Sequence, residues 1–244
     1  GALHHDSATV AHMGNAVDLF KSLLPSPVSP FGSGYRRAVK PDLLFNGGRV
    51  LYTQPMGSTT DATFEARLMR IAPGNKVASP SAVAGDLNKV VYSCGTSNAA
   101  ALISRMAAAC HDALLDVFEK QAPDIELRPY VAPLLKAMVI HGCSWRKVED
   151  RLRAILETPN NGRQIRSLIS RWMGYGVPDG NRVLACTEQR ATLLGFGQLG
   201  DGEAHVFSLP LPASLGARRE WRRLTVTLAW MSPVAASTQR YRTA

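Results

Sequence analysis

Ser97 is the side chain in this sequence that is best placed to do chemistry. It follows Gly95 and Thr96, comes shortly after a β-prone run at residues 90–92, and opens a long apolar segment. A serine before a helix is most often a cap, because its hydroxyl accepts a hydrogen bond from an N–H group of the first turn. The same arrangement of strand, glycine bend and serine also presents a nucleophile at the positive end of a helix dipole, where N–H groups stabilise a developing oxyanion. The local sequence therefore leaves two interpretations of Ser97, a cap and a nucleophile for acyl transfer.

Helical patterns dominate the chain after Ser97. Apolar residues recur at helical spacing across residues 99–117, and Pro123 ends the pattern. Because alanines occupy the other faces of this segment, we expect a helix that is buried almost all round and lies close to a sheet. Gly174 is expected to stop the last of the later helices in the C′ position. These later helices are predicted at residues 131–141, 145–156 and 164–173.

Strand candidates lie on both sides of the helical region. Before it, apolar or β-prone runs predict strands at residues 43–45, 50–53, 63–71 and 90–92. Residues 72–89 are rich in Pro, Gly, Ser and Asn and are predicted to be a loop. After the helices, we expect three further strands to form a small antiparallel β-sandwich, appended to the first domain. These strands are predicted at residues 190–196, 204–209 and 223–230.

Composition and charge limit the possible partners. The 244 residues are 45% hydrophobic and 19% charged, and no apolar run approaches the roughly 20 residues that span a bilayer, so we expect no membrane contact. The net charge is +9, with arginines concentrated at residues 146–171 and 218–223. We interpret these clusters as solvated helix faces. Nucleic-acid binding centred on residues 146–171 is a minor hypothesis, because no zinc-finger spacing or aromatic RNA-binding motif accompanies the charge.

The cysteines and histidines give no sign of a metal or a cofactor. The cysteines form no CxxC pair, and the six histidines form no HxxxH or HExxH pattern, so we expect neither. Scattered cysteines at this chain length also argue against a disulfide framework and slightly favour the cytoplasm over secretion. The cysteines are Cys94, Cys110, Cys143 and Cys186.

Five segments carry motifs that occur together, and in this order, in one enzyme family. Residues 1–3 are similar to the end of a Val-Gly-Ala strand, and residues 39–48 to a Lys-Pro-Asp segment followed by a glycine turn. Residues 95–100 are similar to the Gly-Thr-Ser-x-Ala signature around a serine nucleophile. Residues 134–144 are similar to a Leu-Leu-x-x-Ala helix, and residues 174–179 to a closing Gly-Tyr-Gly turn. Together these segments resemble the subtilisin-like serine proteases, or subtilases.

The resemblance implies a fold and an activity. Residues 1–186 would be the C-terminal portion of an α/β subtilisin-like domain, with a parallel sheet in a three-layer arrangement, and residues 187–244 a small β-rich module. Ser97 would be the nucleophile of a serine endopeptidase that acts on polypeptide substrates, and its own N–H group would bind the oxyanion. Many subtilases are secreted, so the family leaves the compartment open.

The chain departs from the family pattern at two points. Ala101 stands where the family usually has proline, and no Asp-Thr-Gly or His-Gly-Thr sequence precedes Ser97. Because the family order is Asp, His, Ser, we expect the catalytic Asp and His and the oxyanion Asn upstream of Gly1, in a missing N-terminal part of the same protein. Asn15 is a weaker alternative for the oxyanion donor. The chain alone is then expected to be inactive. The competing hypothesis is a catalytically inactive subtilase-like scaffold that binds proteins.

Overall fold

The structure is a computed structural model that describes residues 1–5, 16–20, 23–34, 38–55, 63–67, 70–187, 190–209, 219 and 221–231. Within these residues the chain is mixed α/β, with small parallel and antiparallel sheets, so the predicted α/β class is confirmed. The chain divides into two compact units. Unit one comprises Gly1–Met106 and Cys143–Pro178, and unit two comprises Ala107–Gly142 and Asp179–Ala244. The boundary expected at residue 186 stays a prediction.

All the strands of the described residues are short and lie in unit one. In chain order they are β1 (Ala2–Leu3), β2 (Ala16–Val17), β3 (Gly32–Ser33), β4 (Val39–Lys40), β5 (Phe45–Asn46), β6 (Leu51–Thr53), β7 (Glu65–Arg67), β8 (Asn75–Ala78) and β9 (Val90–Ser93). Strands β1 and β5 pair in parallel, with Ala2 opposite Phe45. The other sheets are antiparallel: β2–β6–β7, β3–β4 and β8–β9.

The four predicted helices are present with bounds close to those predicted, and one short helix was not predicted. They are α1 (Thr96–Gln121), α2 (Val131–His141), α3 (Arg146–Leu156), α4 (Ile165–Met173) and the short α5 (Asn181–Leu184), and a 3₁₀ turn at Arg128–Tyr130 leads into α2. Gly174 ends α4 with a φ of 59°, a backbone conformation that side chains with a Cβ avoid. Helix α1 stops two residues before Pro123, as the sequence predicts.

The core of unit one forms where α3 and α4 pack beneath the first strands. On α4, Ile165, Ile169 and Met173 are buried at successive spacings of four, and they contact Leu44 and Leu152. Each such side chain contributes about 1.5–3 kcal/mol through burial. Arg166 and Arg171 lie on the exposed face of α4, as the interpretation of a solvated helix face predicts for this part of the basic cluster.

The described part of unit two is held by a smaller apolar cluster. Buried Phe118 on α1 meets the ring of Phe196 at a centroid distance of 5.3 Å. The ring of Tyr130 lies 4.9 Å from that of Phe196. Gly142, directly after α2, lies so close to the backbone of Asp179 that a Cβ at this position would be 2.6 Å from the Asp179 carbonyl oxygen.

Two predictions about the middle of the chain are wrong. Residues 75–78, expected to be loop, form strand β8, because pairing with β9 supplies the backbone hydrogen bonds that local composition does not reveal. Helix α1 is not buried almost all round, since most of its alanines are exposed. Its buried residues form one stripe, consisting of Ala99, Cys110, Leu114 and Phe118.

The three predicted C-terminal strands are also wrong for the described residues. Neither 190–209 nor 221–231 contains a strand, so the expected antiparallel sandwich has no ladder in these ranges. The apolar alternation is present, but Val226 and Trp230 are 81% and 69% exposed. A strand forms only where a neighbour completes its hydrogen bonds, and alternation alone does not provide that neighbour.

Candidate functional site

Ser97 lies in the first turn of α1, directly after strand β9 and the bend at Gly95. Helix α1 begins at Thr96, so the capping position falls to Gly95, whose φ is 152°. The Ser97 side chain is exposed, and its hydroxyl makes no hydrogen bond within the described part of the chain. The structure therefore places this hydroxyl neither in the core nor in a helix cap.

The backbone before Ser97 is fixed to the parallel strand pair β1–β5. The N–H of Gly95 donates to the carbonyl oxygen of Gly47 at 2.7 Å, and the N–H of Gly47 donates to the carbonyl oxygen of Leu3 at 2.9 Å. Gly48 has a φ of 84°, and a Cβ there would lie 2.6 Å from the backbone oxygen of Ser93. The turn at Gly47 and Gly48 thus needs glycine to approach the chain that carries Ser97.

A second contact fixes the first turn of α1 from the strand that precedes it. The side chains of Ser93 and Asn98 hydrogen-bond each other, with Nδ2 of Asn98 lying 2.9 Å from Oγ of Ser93. On the adjacent strand, Asn75 donates through Nδ2 to the carbonyl oxygen of Asn46 at 3.2 Å. Ser97 is therefore flanked on both sides of the sequence by residues with defined partners.

The amide groups around Ser97 can stabilise negative charge. The first four N–H groups of an α-helix have no acceptor inside the helix, and this orientation favours an anion near the helix start. The N–H of Ser97 belongs to this set because α1 begins one residue earlier. A nucleophilic hydroxyl and an oxyanion donor can thus come from one residue, which is the role that the resemblance implies for Ser97.

Two of the motif segments contact each other on the opposite edge of β5. The N–H of Tyr175 donates to the carbonyl oxygen of Asp42 at 2.8 Å, and the N–H of Leu44 donates to that of Gly176 at 2.9 Å. A Cβ on Gly174 would lie 2.1 Å from the backbone oxygen of Pro41. The Gly-Tyr-Gly turn thus fixes the Lys-Pro-Asp segment, and the carboxylate of Asp42 forms an ion pair with its near neighbour Lys40.

The described residues do not bring a general base to Ser97. His4 directs Nε2 to Asp18 at 3.1 Å, and His141 directs Nδ1 to the Thr227 hydroxyl at 3.0 Å. Among the described residues no histidine hydrogen-bonds Ser97. Asn15, the alternative oxyanion donor, lies outside the described residues.

The nearest cysteine does not compete with Ser97 as a nucleophile. Burial raises the pKa of the Cys94 thiol, so the thiol stays protonated near neutral pH. The described residues contain no group of three or more His, Cys, Asp or Glu side chains that could hold a metal ion.

Sequence reasoning missed one cluster near this site. The carboxylate of Asp18 forms an ion pair with Arg49 and contacts His4, and both partners border the segments that hold Gly47 and Gly48. No spacing rule joins these three residues, because they meet only through the pairing of strands that are distant in sequence.

Comparison of the chain with protein-family models, with curated proteins and with solved structures found no match. The role of Ser97 is therefore inferred from its geometry and from the motif resemblance. Within the residues that the structure describes, no helix has both the length and the apolar character needed to cross a membrane.

Proposed function

We propose that this chain is part of a serine endopeptidase of the subtilase type, with Ser97 as its nucleophile. The observation that carries the proposal is the exposed Ser97 hydroxyl, which is not used for capping and lies in the first turn of a 26-residue helix. Gly95, two residues before Ser97, donates a hydrogen bond to Gly47, which directly follows the parallel strand pair β1–β5. This combination keeps the hydroxyl accessible while its backbone is fixed, as nucleophilic catalysis requires.

The proposed reaction is the one that the subtilase resemblance implies. A histidine from the upstream part of the same protein takes the proton of Ser97 as its Oγ attacks the carbonyl carbon of a polypeptide substrate. The Ser97 N–H and the upstream Asn stabilise the oxyanion. The histidine then gives its proton to the leaving amine, and water hydrolyses the acyl-enzyme to release the second product.

The subtilisin-like three-layer arrangement belongs to the same proposal. The parallel pair β1–β5 and the helices α3 and α4 packed on it supply parts of a sheet layer and a helix layer. Several alanines of α1 are exposed, and alanine loses no side-chain entropy if a further segment of the protein covers it. Under this proposal the partners are a polypeptide substrate and the upstream part of the same protein.

The test is fluorophosphonate labelling of the intact protein, followed by peptide mapping and a casein-cleavage assay. We expect a single labelled site at Ser97, which Ser97→Ala abolishes together with casein cleavage. Ser104→Ala is the matched control, because Ser104 is exposed on the same helix but its hydroxyl donates to the carbonyl oxygen of Ala100 at 3.0 Å. Labelling that persists in Ser97→Ala would refute the proposal.

The inactive scaffold is the second candidate, and one observation favours it. No described histidine contacts Ser97, so the described residues alone lack a triad. An intact protein that folds but neither reacts with the fluorophosphonate nor cleaves casein would support the scaffold. The 244-residue chain alone is expected to be inactive under both hypotheses.

A further inference from the structure

A cluster of charged and aromatic side chains lies beside the turn at Gly47 and Gly48, which is hydrogen-bonded to Gly95 in the segment that leads to Ser97. Nε2 of His4 lies 3.1 Å from Oδ1 of Asp18, and the other carboxylate oxygen of Asp18 forms an ion pair with Arg49. The N–H of Phe20 also donates to Oδ1 of Asp18 at 3.1 Å. The ring of Phe20 covers that of His4 at a centroid distance of 5.6 Å.

The side chains of this cluster are largely buried, so their charges lose favourable hydration free energy when the cluster forms. The His4 side chain is fully buried, and those of Asp18 and Arg49 are 18% and 22% exposed. Removing charges from water is unfavourable, and a buried ion pair is seldom more stable than apolar side chains of similar size. A cluster of this kind is better explained by the geometry that it imposes than by stability.

His4, Asp18 and Arg49 belong to three segments that converge on one turn. His4 follows strand β1, Asp18 follows β2, and Arg49 follows Gly48 directly. The N–H of Gly48 donates to the carbonyl oxygen of His5 at 3.1 Å, so the turn is attached to the segment that carries His4.

From this turn the contacts lead directly to Ser97. The carbonyl oxygen of Gly47 accepts the N–H of Gly95 at 2.7 Å, and Gly95 is two residues before Ser97. No side chain intervenes between the turn and the nucleophile segment, so a displacement of Gly47 is transmitted to Gly95 through a single hydrogen bond.

We propose that Asp18 is a positioning residue, whose carboxylate holds the turn at Gly47 and Gly48 through Arg49 and His4, and thereby places Ser97. The consequence for catalysis rests on the proposed function, but the placement of Gly95 does not. Asp18 itself touches neither substrate nor the reacting atoms in this role. A displacement of about 1 Å at a reacting group lowers a rate by about two orders of magnitude, so a modest loosening of the turn has a measurable effect.

The test compares two carboxylates of unit one in the intact protein. Asp18→Asn keeps the shape of the side chain and removes its charge. Glu149→Gln is the matched control, because Glu149 pairs with Arg153 at 3.1 Å and is 31% exposed, but it lies on α3 and has no link to the turn. Arg49→Lys is a milder second variant for use if Asp18→Asn does not fold.

Two readouts separate this proposal from the proposed function. The first is hydrogen exchange at the Gly95 amide, which reports its bond to Gly47, and the second is the rate of fluorophosphonate labelling at Ser97. We expect Asp18→Asn to speed exchange at Gly95 about tenfold and to slow labelling at least about tenfold, whereas Glu149→Gln changes neither.

Each other result contradicts one of the two proposals. Unchanged exchange at Gly95 in Asp18→Asn, or equal increases in both variants, overturns the positioning role. Faster exchange at Gly95 in a protein whose wild type is not labelled supports the positioning role and overturns the proposed function.

Discussion

Replacing Gly48 by alanine tests whether the glycine turn sets the position of Ser97, the proposed nucleophile. A Cβ at Gly48 would lie 2.6 Å from the backbone oxygen of Ser93 and 3.0 Å from Cβ of Cys94. A carbon and an oxygen in ordinary close contact are separated by about 3.3 Å, so the turn and strand β9 must move apart by about 0.7 Å. The hydrogen bond from Gly95 to Gly47 is 2.7 Å long. Adding about 0.7 Å takes it beyond the usual limit of about 3.2 Å.

The expected loss of stability has two parts. Gly48 has a φ of 84°, where a residue with a Cβ is disfavoured by about 1–2 kcal/mol. Loss of the backbone hydrogen bond adds about 0.5–1.5 kcal/mol. We therefore expect Gly48→Ala to lower the free energy of unfolding by about 1.5–3.5 kcal/mol. The matched control is Gly85→Ala, because Gly85 has a φ of 81° in the same unit but no atom within 4 Å of the added Cβ.

The assay combines urea unfolding with labelling of Ser97 in the intact protein. Gly85→Ala should lose only the conformational part of the stability, about 1–2 kcal/mol, and keep the wild-type labelling rate. Gly48→Ala should lose more and be labelled about tenfold more slowly, because the segment before Ser97 has moved. If the two variants match in stability and in labelling, the close approach at Gly48 does not constrain the site.

Three further predictions concern other contacts of the described residues. Gly174→Ala should destabilise the protein by at least about 3 kcal/mol in urea, because it adds the positive-φ cost to a Cβ 2.1 Å from the backbone oxygen of Pro41; a loss below about 1 kcal/mol would contradict that packing. Burial raises the pKa of Cys143 to about 12, so at pH 8 iodoacetamide should alkylate exposed Cys186 much faster, as read by peptide mass spectrometry; equal rates would contradict this. Burial, followed by the charges of two arginines, lowers the pKa of His141 below its usual 6.5. The contribution of His141 to the free energy of unfolding should therefore be complete above about pH 6.5 and be lost as the pH falls through the lowered value. His141→Asn should flatten that dependence in urea midpoints measured from pH 7.5 to pH 5, and an unchanged slope would exclude His141 as its source.

The helices could be predicted from the sequence because their determinants are local. Helix α2 occupies the predicted residues Val131–His141, and α4 ends at the glycine expected to stop it. Apolar spacing and a terminating Pro or Gly lie within the segment that folds, so each helix can be recognised without its neighbours.

The strands were less predictable because pairing depends on distant residues. Residues 75–78 have a loop-like composition and become a strand through β9, whereas residues 223–230 alternate well and form none. The position of a strand is set by the chain beside it, and a single sequence does not show which segments will be adjacent.

The candidate site divides in the same way. The position of Ser97 at the start of a helix follows from residues 90–117 alone. Its attachment to Gly47 and the cluster around Asp18 depend on the pairing of β1 with β5 and of β2 with β6. Local sequence therefore located the proposed nucleophile, and only the fold revealed which residues hold its backbone in place.

Backbone hydrogen bonds connect several of the motif segments. No side chain of strand β1 takes part in the proposed reaction. The carbonyl oxygen of Leu3 nevertheless accepts a hydrogen bond from the N–H of Gly47, and the carbonyl oxygen of Gly47 accepts one from the N–H of Gly95. Asp42 is bonded to Tyr175 by the same kind of main-chain contact. Residues 1–3, 39–48, 95–100 and 174–178 lie in unit one and are joined there by backbone hydrogen bonds, whereas the helical part of the 134–144 segment lies in unit two. Their direct connection supports treating them as parts of one site, and it makes Ser97 the residue whose chemistry should be tested first.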